Sequence, residues 1–581
     1  EVFLPNDTKR NTYTEVHTYP ALGSYTISML DPNRNANILN VNPPNSVIVP
    51  FFLQTSFTFT NTQFQGPNSS PVLLQPPIDF GCVGQIFRHN PNAFDPDGDS
   101  LAYELIVPLQ SEDNEVPNYS FPDEIIPQGN EIRLDEETGD FVWIVPQRRG
   151  EYNIAILIKE YRNGQLINSM IRDMQIFIDD CQNVPPKVEA PDEICVIAGD
   201  TVQFEVLAEA PEFEVNQLVR LSALGGPLEL ENSPARFIAP DGFREDPLTG
   251  EFIWATNCNH ISDQPYTVVI RAVDNFYDTT GLADLKTVRI KVVGPAPKDV
   301  LAEFDNNRIN LSWRQPYSCE VTEDEYFRGF SVWRRVGSNP FPPDSCENGL
   351  DGQGYERIGF NILDFDNGRY RFADNDELER GVTYCYRILA NFARLTPQGL
   401  PYNPVESLAS KEVCLQLGRD LPFLTRVDVE TTDPVSGSIA LEWTKPDPDD
   451  LDTLQNPGPY TYRLLRAGGI NGTDFQAIPG AEFEHNSFGE PHTLSFIDTN
   501  INTVIGGYNY QIEFLTGPGN DALGRSPSAS SVFLSIFPTD ERNELSWSFN
   551  DPWNNFAFDI YRRDPGTAQF VLLDSTFNTS Y

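Results

Sequence analysis

The sequence predicts an all-β chain, a tandem array of β-sandwiches, and three observations carry that prediction. Short runs of Val, Ile, Leu, Thr and aromatic residues alternate with polar positions and are punctuated by 48 Pro and 39 Gly, as expected of strands with one buried face joined by turns. A block of sequence repeats: DEETGDFVWIVP, with Thr138, Gly139, Phe141 and Trp143, returns as DPLTGEFIWATN, with Thr249, Gly250, Phe252 and Trp254 in the same register. The chain is also 581 residues long, more than one hydrophobic core supports.

Taken in order, residues 1–80 contain EVHTYPALGSYTISMLDPNRN and NSVIVPFFLQTSFTF, which read as the last strands of a separate, truncated sandwich. Residues 81–182 and 183–294 each carry the repeat block. An alternating strand follows it (EYNIAILIKEYRNG from Glu151, PYTVVIRAVDNFYD from Pro265), then a closing strand, RDMQIFIDDC or LKTVRIKVVG. These read as two related immunoglobulin-like sandwiches of cadherin or PKD character. Beyond the proline-containing hinge GPAPKD at Gly294, residues 295–419 carry NRINLSW with Trp313, FRGFSVWRR, and FADNDELERGVTYCYRI with Tyr384 and Tyr386. This order resembles a fibronectin type III domain with an insertion. It returns over residues 420–536 in GSIALEWTKP with Trp443, YTYRLLRAG, and FIDTNINTVIGGYNYQI with Tyr508 and Tyr510. It starts again over 537–581 in NELSWSF with Trp547 and FDIYRRDPG. Both end units read as partial sandwiches, which would leave edges exposed unless the polypeptide extends further.

Asp and Glu outnumber Lys and Arg by 84 to 40, giving a formal net charge of −44. Such a surface repels nucleic-acid phosphates and anionic headgroups, so nucleic acid and inner-leaflet membrane are not expected partners. A solvated acidic surface accounts for most of this charge. No apolar run reaches the roughly 18 residues that would span a bilayer, and EVFLPNDTKR lacks the basic and apolar regions of a signal peptide.

Catalytic patterns are absent. The five histidines, His17, His89, His260, His485 and His492, are scattered through the array without an HExxH pairing, and there is no GxSxG, P-loop or dinucleotide fingerprint. Trp143, Trp254, Trp313 and Trp443 recur at equivalent strand positions, which marks core packing rather than a sugar-stacking strip. Trp553, in NDPWNN, is the aromatic expected to be exposed.

The best metal candidate is the DPDGDS turn, where Asp95, Asp97 and Asp99 stand at alternate positions and can converge oxygen ligands on a hard cation such as Ca2+. An EF-hand is excluded by the missing downstream bidentate Glu; Glu104 follows on the next strand. The second repeat has AEAPEFEVNQ at this point, leaving only Glu209, Glu212 and Glu214. The loop KPDPDDLDTLQ, with Asp447, Asp449, Asp450 and Asp452, is expected to be a solvated acidic loop.

Eight cysteines without CxxC spacing and only three Met point to disulfides and an oxidising compartment. Domain membership predicts the pairs Cys82–Cys181, Cys195–Cys258, Cys319–Cys346 and Cys385–Cys414.

TYPALGSYTISMLDPNRNANILNV, SSPVLLQPPIDFGCVGQIFRHNPNAFDPDGDSLAYEL, GEYNIAILIKEYRNG and IRDMQIFIDDC together resemble Bacteroidota proteins associated with gliding motility, over roughly residues 15–300. That resemblance implies an extracellular or outer-membrane surface protein exported by the type IX secretion machinery, although the sorting domain that directs such cargo is not in this sequence. It also implies O-glycosylation at Asp-Ser/Thr-aliphatic sites, which occur here at Ser100, Thr201 and Thr453. The expected function is that of a non-catalytic surface stalk, adhesin or fibre. Its sandwiches would be joined end to end, with self-association and a polysaccharide or cell-surface target as partners. The alternative is an accessory region of a larger secreted polysaccharide- or protein-degrading enzyme.

Overall fold

The computed structural model describes residues 2–3, 9–59, 61–181, 183–211, 217–276, 281–305, 308–322, 325–339, 346–376, 378, 382–416, 420–447, 450–454, 456–539, 542–553, 555, 557–564, 566–567 and 569–581. The chain is almost wholly strand, arranged as tandem sandwiches.

In the first sandwich the long hairpin Gly150–Arg162 and Gln165–Asp179 forms the spine of an eight-stranded sheet. Facing it are Phe87–His89, Glu131–Leu134 and Phe141–Ile144. Tyr152, Ile154, Ile156 and Ile158 project from alternate positions of one strand into the core, where they meet Phe141 and Trp143. The front of the chain departs from expectation. Gly23–Asp31 pairs along its length with Phe51–Phe59, which in turn pairs with Gln165–Asp179. These strands complete the first sandwich instead of ending a separate one. Alternation identifies a strand, but its partner is chosen by whichever edge is left open.

The second sandwich joins a four-stranded sheet, containing Thr201–Glu209 and Leu248–Ala255, to a five-stranded one built on Tyr266–Asp274 and Ala283–Val293. Its kinship with the first is geometric as well as sequential. Trp143 meets Tyr152 edge-on at 4.8 Å and 81°, while Trp254 meets Tyr266 at 5.0 Å and 76°. Each buried indole also finds an acceptor for its N–H: Asn130 Oδ1 for Trp143 and the Ser233 carbonyl for Trp254.

The third and fourth sandwiches share a different plan, and each carries the same trio, a buried Asp and Tyr with a half-buried Arg. Tyr386 donates to Asp374 Oδ2 at 2.8 Å, and Arg334 reaches both oxygens of Asp374. Tyr510 donates to Asp498 Oδ2 at 2.9 Å, and Arg466 reaches both oxygens of Asp498. Beyond the fourth sandwich, two hairpins, Phe533–Thr539 with Arg542–Ser548 and Phe558–Arg563 with Phe570–Thr576, close the chain. Trp553 is not an exposed aromatic; it packs against the core of the fourth sandwich.

Candidate functional site

Candidate functional chemistry concentrates where three sandwiches meet. The first grips the second through Arg271 on Asp79 at 3.0 Å, Thr287 on Asp140 at 2.6 Å and Arg88 on Asp284 at 3.3 Å. The second runs into the third with one continuous apolar core from Val188 to Val405. A disulfide between Cys258 and Cys319 crosses that same boundary. The third then folds back to the first: Asn403 Nδ2 donates to the Asp97 carbonyl at 3.3 Å and to Asp99 Oδ1 at 3.0 Å. Beside it the Tyr402 ring lies 5.0 Å from the Arg162 guanidinium carbon. Purely end-to-end joining is therefore overturned for these three units, because the polar turn of the first also has the third to satisfy it.

The DPDGDS turn is the centre of this junction. Asp95 Oδ1 accepts from the backbone N–H groups of Asp97 and Asp99, both at 2.9 Å, which curls the turn and points its carboxylates inward. Asp97 Oδ2 accepts from Ser69 N at 2.5 Å. Arg162 Nε and Nη2 bind the two oxygens of Asp99 at 2.8 and 2.5 Å, a bidentate pair. The turn borders a cleft of about 670 Å³ lined by residues including Asn259, Tyr266, Tyr326, Arg394 and Asn403.

Glu104, the expected neighbour, is turned outward and pairs with Lys159 at 2.6 Å. The carboxylate buried near the cluster, close enough for its charge to act on Asp95, is Glu160. Tyr152, Ile154, Ile156, Ile158, Glu160 and Arg162 occupy the same buried face of one strand, so the face runs from apolar core into a charged junction. Glu160 is completely buried and Asp95 is 6% exposed. Asp95 Oδ2 and Glu160 Oε1 meet no hydrogen-bond donor among the described residues. Burial, with the nearby charges of Glu160, Asp99 and Asp97, pushes the Asp95 carboxyl up to about 7. Burial and the Asp99 charge likewise push Glu160 up to about 7, against hydrogen bonding from Asn168 and Asn68 and the charge of Arg162.

The remaining site predictions divide. Cys82 bonds Cys181 and Cys385 bonds Cys414 as expected. The pairs Cys195–Cys258 and Cys319–Cys346 do not form, because Cys258 reaches across the boundary to Cys319. Cys195 is instead half-exposed on the strand Glu193–Ile197, and Cys346 is exposed. Domain membership failed here because the two sandwiches touch at those loops. Thr201 and Thr453 are exposed, whereas Ser100 is half-buried and donates to the Tyr161 carbonyl. Glu212, Glu214 and Asp449 lie outside the described residues. Two of the scattered histidines do come together: His485 and His492 stack at 4.3 Å. Their ring nitrogens are engaged, His485 Nε2 by Thr493 N and His492 by the Tyr462 hydroxyl and Ser487 carbonyl.

No helix among the described residues is long and apolar enough to cross a membrane. No family model matches the chain, and no curated protein matches it. Among solved structures it is similar to the titin fragment I67–I69, at 9% identity and a TM-score of 0.17, over 59% of this chain and 98% of that one. It is also similar to the sialic acid binding region of a Streptococcus sanguinis adhesin, at 11% identity and a TM-score of 0.17, over 44% of this chain and 97% of that one. The N-terminal Ig1-2 module of the Drosophila receptor protein tyrosine phosphatase DLAR matches at 15% identity and a TM-score of 0.17, over 39% of this chain and 99% of that one. The fold class, a tandem array of Ig-like sandwiches, rests on the sheets themselves rather than on these overlaps.

Proposed function

We propose that this chain is a non-catalytic part of an extracellular or outer-membrane surface protein serving adhesion in the service of gliding motility, exported by the type IX secretion machinery. The observation that carries the reading is the block of three sandwiches held together by a covalent bridge, a continuous core, and ion pairs and hydrogen bonds across the boundaries. A block of that kind transmits load without its domains turning on their linkers, which suits a surface stalk. Three disulfides suit an oxidising compartment and resist proteolysis. The target is a polysaccharide or another surface component, and chains self-associate into fibres.

The test is deletion of the coding region in the native organism, with attachment and spreading measured on defined surfaces, and antibody labelling of intact wild-type cells. Labelling of intact cells with loss of attachment in the deletion is the expected result. Labelling only after lysis would refute the location. Normal attachment with loss of a secreted hydrolase activity would favour the accessory region of a degradative enzyme.

A further inference from the structure

We propose that the three-sandwich junction binds one divalent cation of the calcium class through Asp95, Asp97 and Asp99, aided by the negative charge of the buried Glu160, and that the ion holds the third sandwich against the first. Charge is the first consideration. Four carboxylates gather here, and Arg162 binds Asp99 through two nitrogens and also stands 4.0 Å from Asp97. Arg394 stands 3.7 Å from Asp97 and is partly exposed. Neither Asp95 nor Glu160 has an ion-pair partner among the described residues, and buried carboxylates are ordinarily paired, bound to metal or held neutral.

Geometry is the second. One oxygen from each of Asp95, Asp97 and Asp99 lies within 4.8 Å of the others. That is the breadth of a coordination sphere with Ca–O distances of about 2.3–2.6 Å. Magnesium, with bonds of about 2.0–2.1 Å and a reluctance to shed water, suits so broad and water-poor an oxygen set less well.

The third consideration lies in the oxygens that lack partners. Asp95 Oδ2 and Glu160 Oε1 are buried without a donor, as is the amide oxygen of Asn168, whose nitrogen donates to Glu160. Oxygens left over in this way, on side chains more than nine-tenths buried, are acceptors waiting for a positive centre. The ion would act on domain arrangement through Asn403, because that side chain binds the backbone and carboxylate of the very turn the ion would fix.

The test uses the full chain after removal of metal with a chelator. Calcium and magnesium chlorides are titrated calorimetrically, and hydrogen exchange of the strand Pro401–Glu406 is followed with and without calcium. We expect one calcium per chain, weaker magnesium binding, and slower exchange in that strand once calcium is bound. Glu160→Gln and Asp95→Asn should each weaken binding at least tenfold, while Asp450→Asn, in the acidic loop of the fourth sandwich, should not. Wild-type protein that shows no saturable binding up to about 10⁻³ M, the weak end for extracellular calcium modules, would overturn the site. So would Glu160→Gln binding as tightly as wild type, or loss of binding in Asp450→Asn. Binding that leaves exchange at 401–406 unchanged would overturn the locking role.

Discussion

Breaking the bridge between Cys258 and Cys319 should loosen the second and third sandwiches and lengthen the chain that force can extract. The bridge closes a sequence separation of 61 residues. Chain entropy for a loop of that size gives about 4 kcal/mol of stabilisation, lost when either cysteine becomes Ala. At about 3.3–3.6 Å per extended residue the same loop hides roughly 200–220 Å of contour. Pulling single molecules by their ends should therefore show Cys319→Ala yielding that much additional length on complete unfolding. The loops closed by Cys82–Cys181 and Cys385–Cys414, with separations of 99 and 29, should remain locked. Urea titration of the same variant should show the second and third sandwiches melting at lower denaturant, with the fourth unaffected. Cys195→Ala is the decisive control, because Cys195 was the partner expected from domain membership. If Cys195→Ala releases the hidden length and Cys319→Ala does not, Cys258 pairs within its own sandwich and the covalent staple does not exist.

Three further outcomes follow from the same packing. Tyr510→Phe removes one hydrogen bond to the buried Asp498 and should cost about 1–2 kcal/mol, with Tyr386→Phe costing a similar amount at Asp374; denaturant melts of the two variants check the equivalence. Trp254→Ala should cost about 3–5 kcal/mol in the second sandwich, read by its thermal transition, since the indole is fully buried against Tyr266. His89 gives a pH dependence: burial pushes it below the ordinary histidine range, against the pull of Asp79, with Arg172 and Arg271 adding to the depression. The unfolded chain takes up a proton below about pH 6.5 that the native state refuses, so stability is full above that pH and falls as pH drops. Asp95 and Glu160, pushed up to about 7, act with the opposite sign over the same range, so the loss is read as the difference between wild-type and His89→Asn thermal melts from pH 7.5 to 5, the wild type falling further.

The sheet of the first sandwich shows how far pattern alone reaches. EYNIAILIKEYRNG was recognisable as a strand with one buried face, and its inward positions continue past Ile158 to Glu160 and Arg162. Two charges at inward positions were a readable sign that the strand ends in a polar junction, because such groups are seldom buried without partners. The partner of Arg162, Asp99, was not readable at 63 residues' separation, nor was Asn403, which binds Asp99 from 304 residues away. Asp374 and Asp498 give the same lesson. Each stands 12 residues before its tyrosine in both sandwiches, a repeat present in the sequence but silent until the side chains face one another.

The sequence by itself determined the class of fold, the repeat of Trp143 and Trp254 with their tyrosines, the DPDGDS turn, and the two disulfides whose cysteines lie on neighbouring strands. These are local: alternation, turn chemistry and strand adjacency act within a few residues or one sheet. Only the tertiary structure decided that Phe51–Phe59 completes the first sandwich, that Cys258 reaches Cys319, that Glu160 rather than Glu104 is buried near the aspartates, and that three sandwiches close on one junction. Those outcomes depend on which open edge, thiol or buried charge finds a partner in space, and polar groups removed from water accept partners at any separation along the chain.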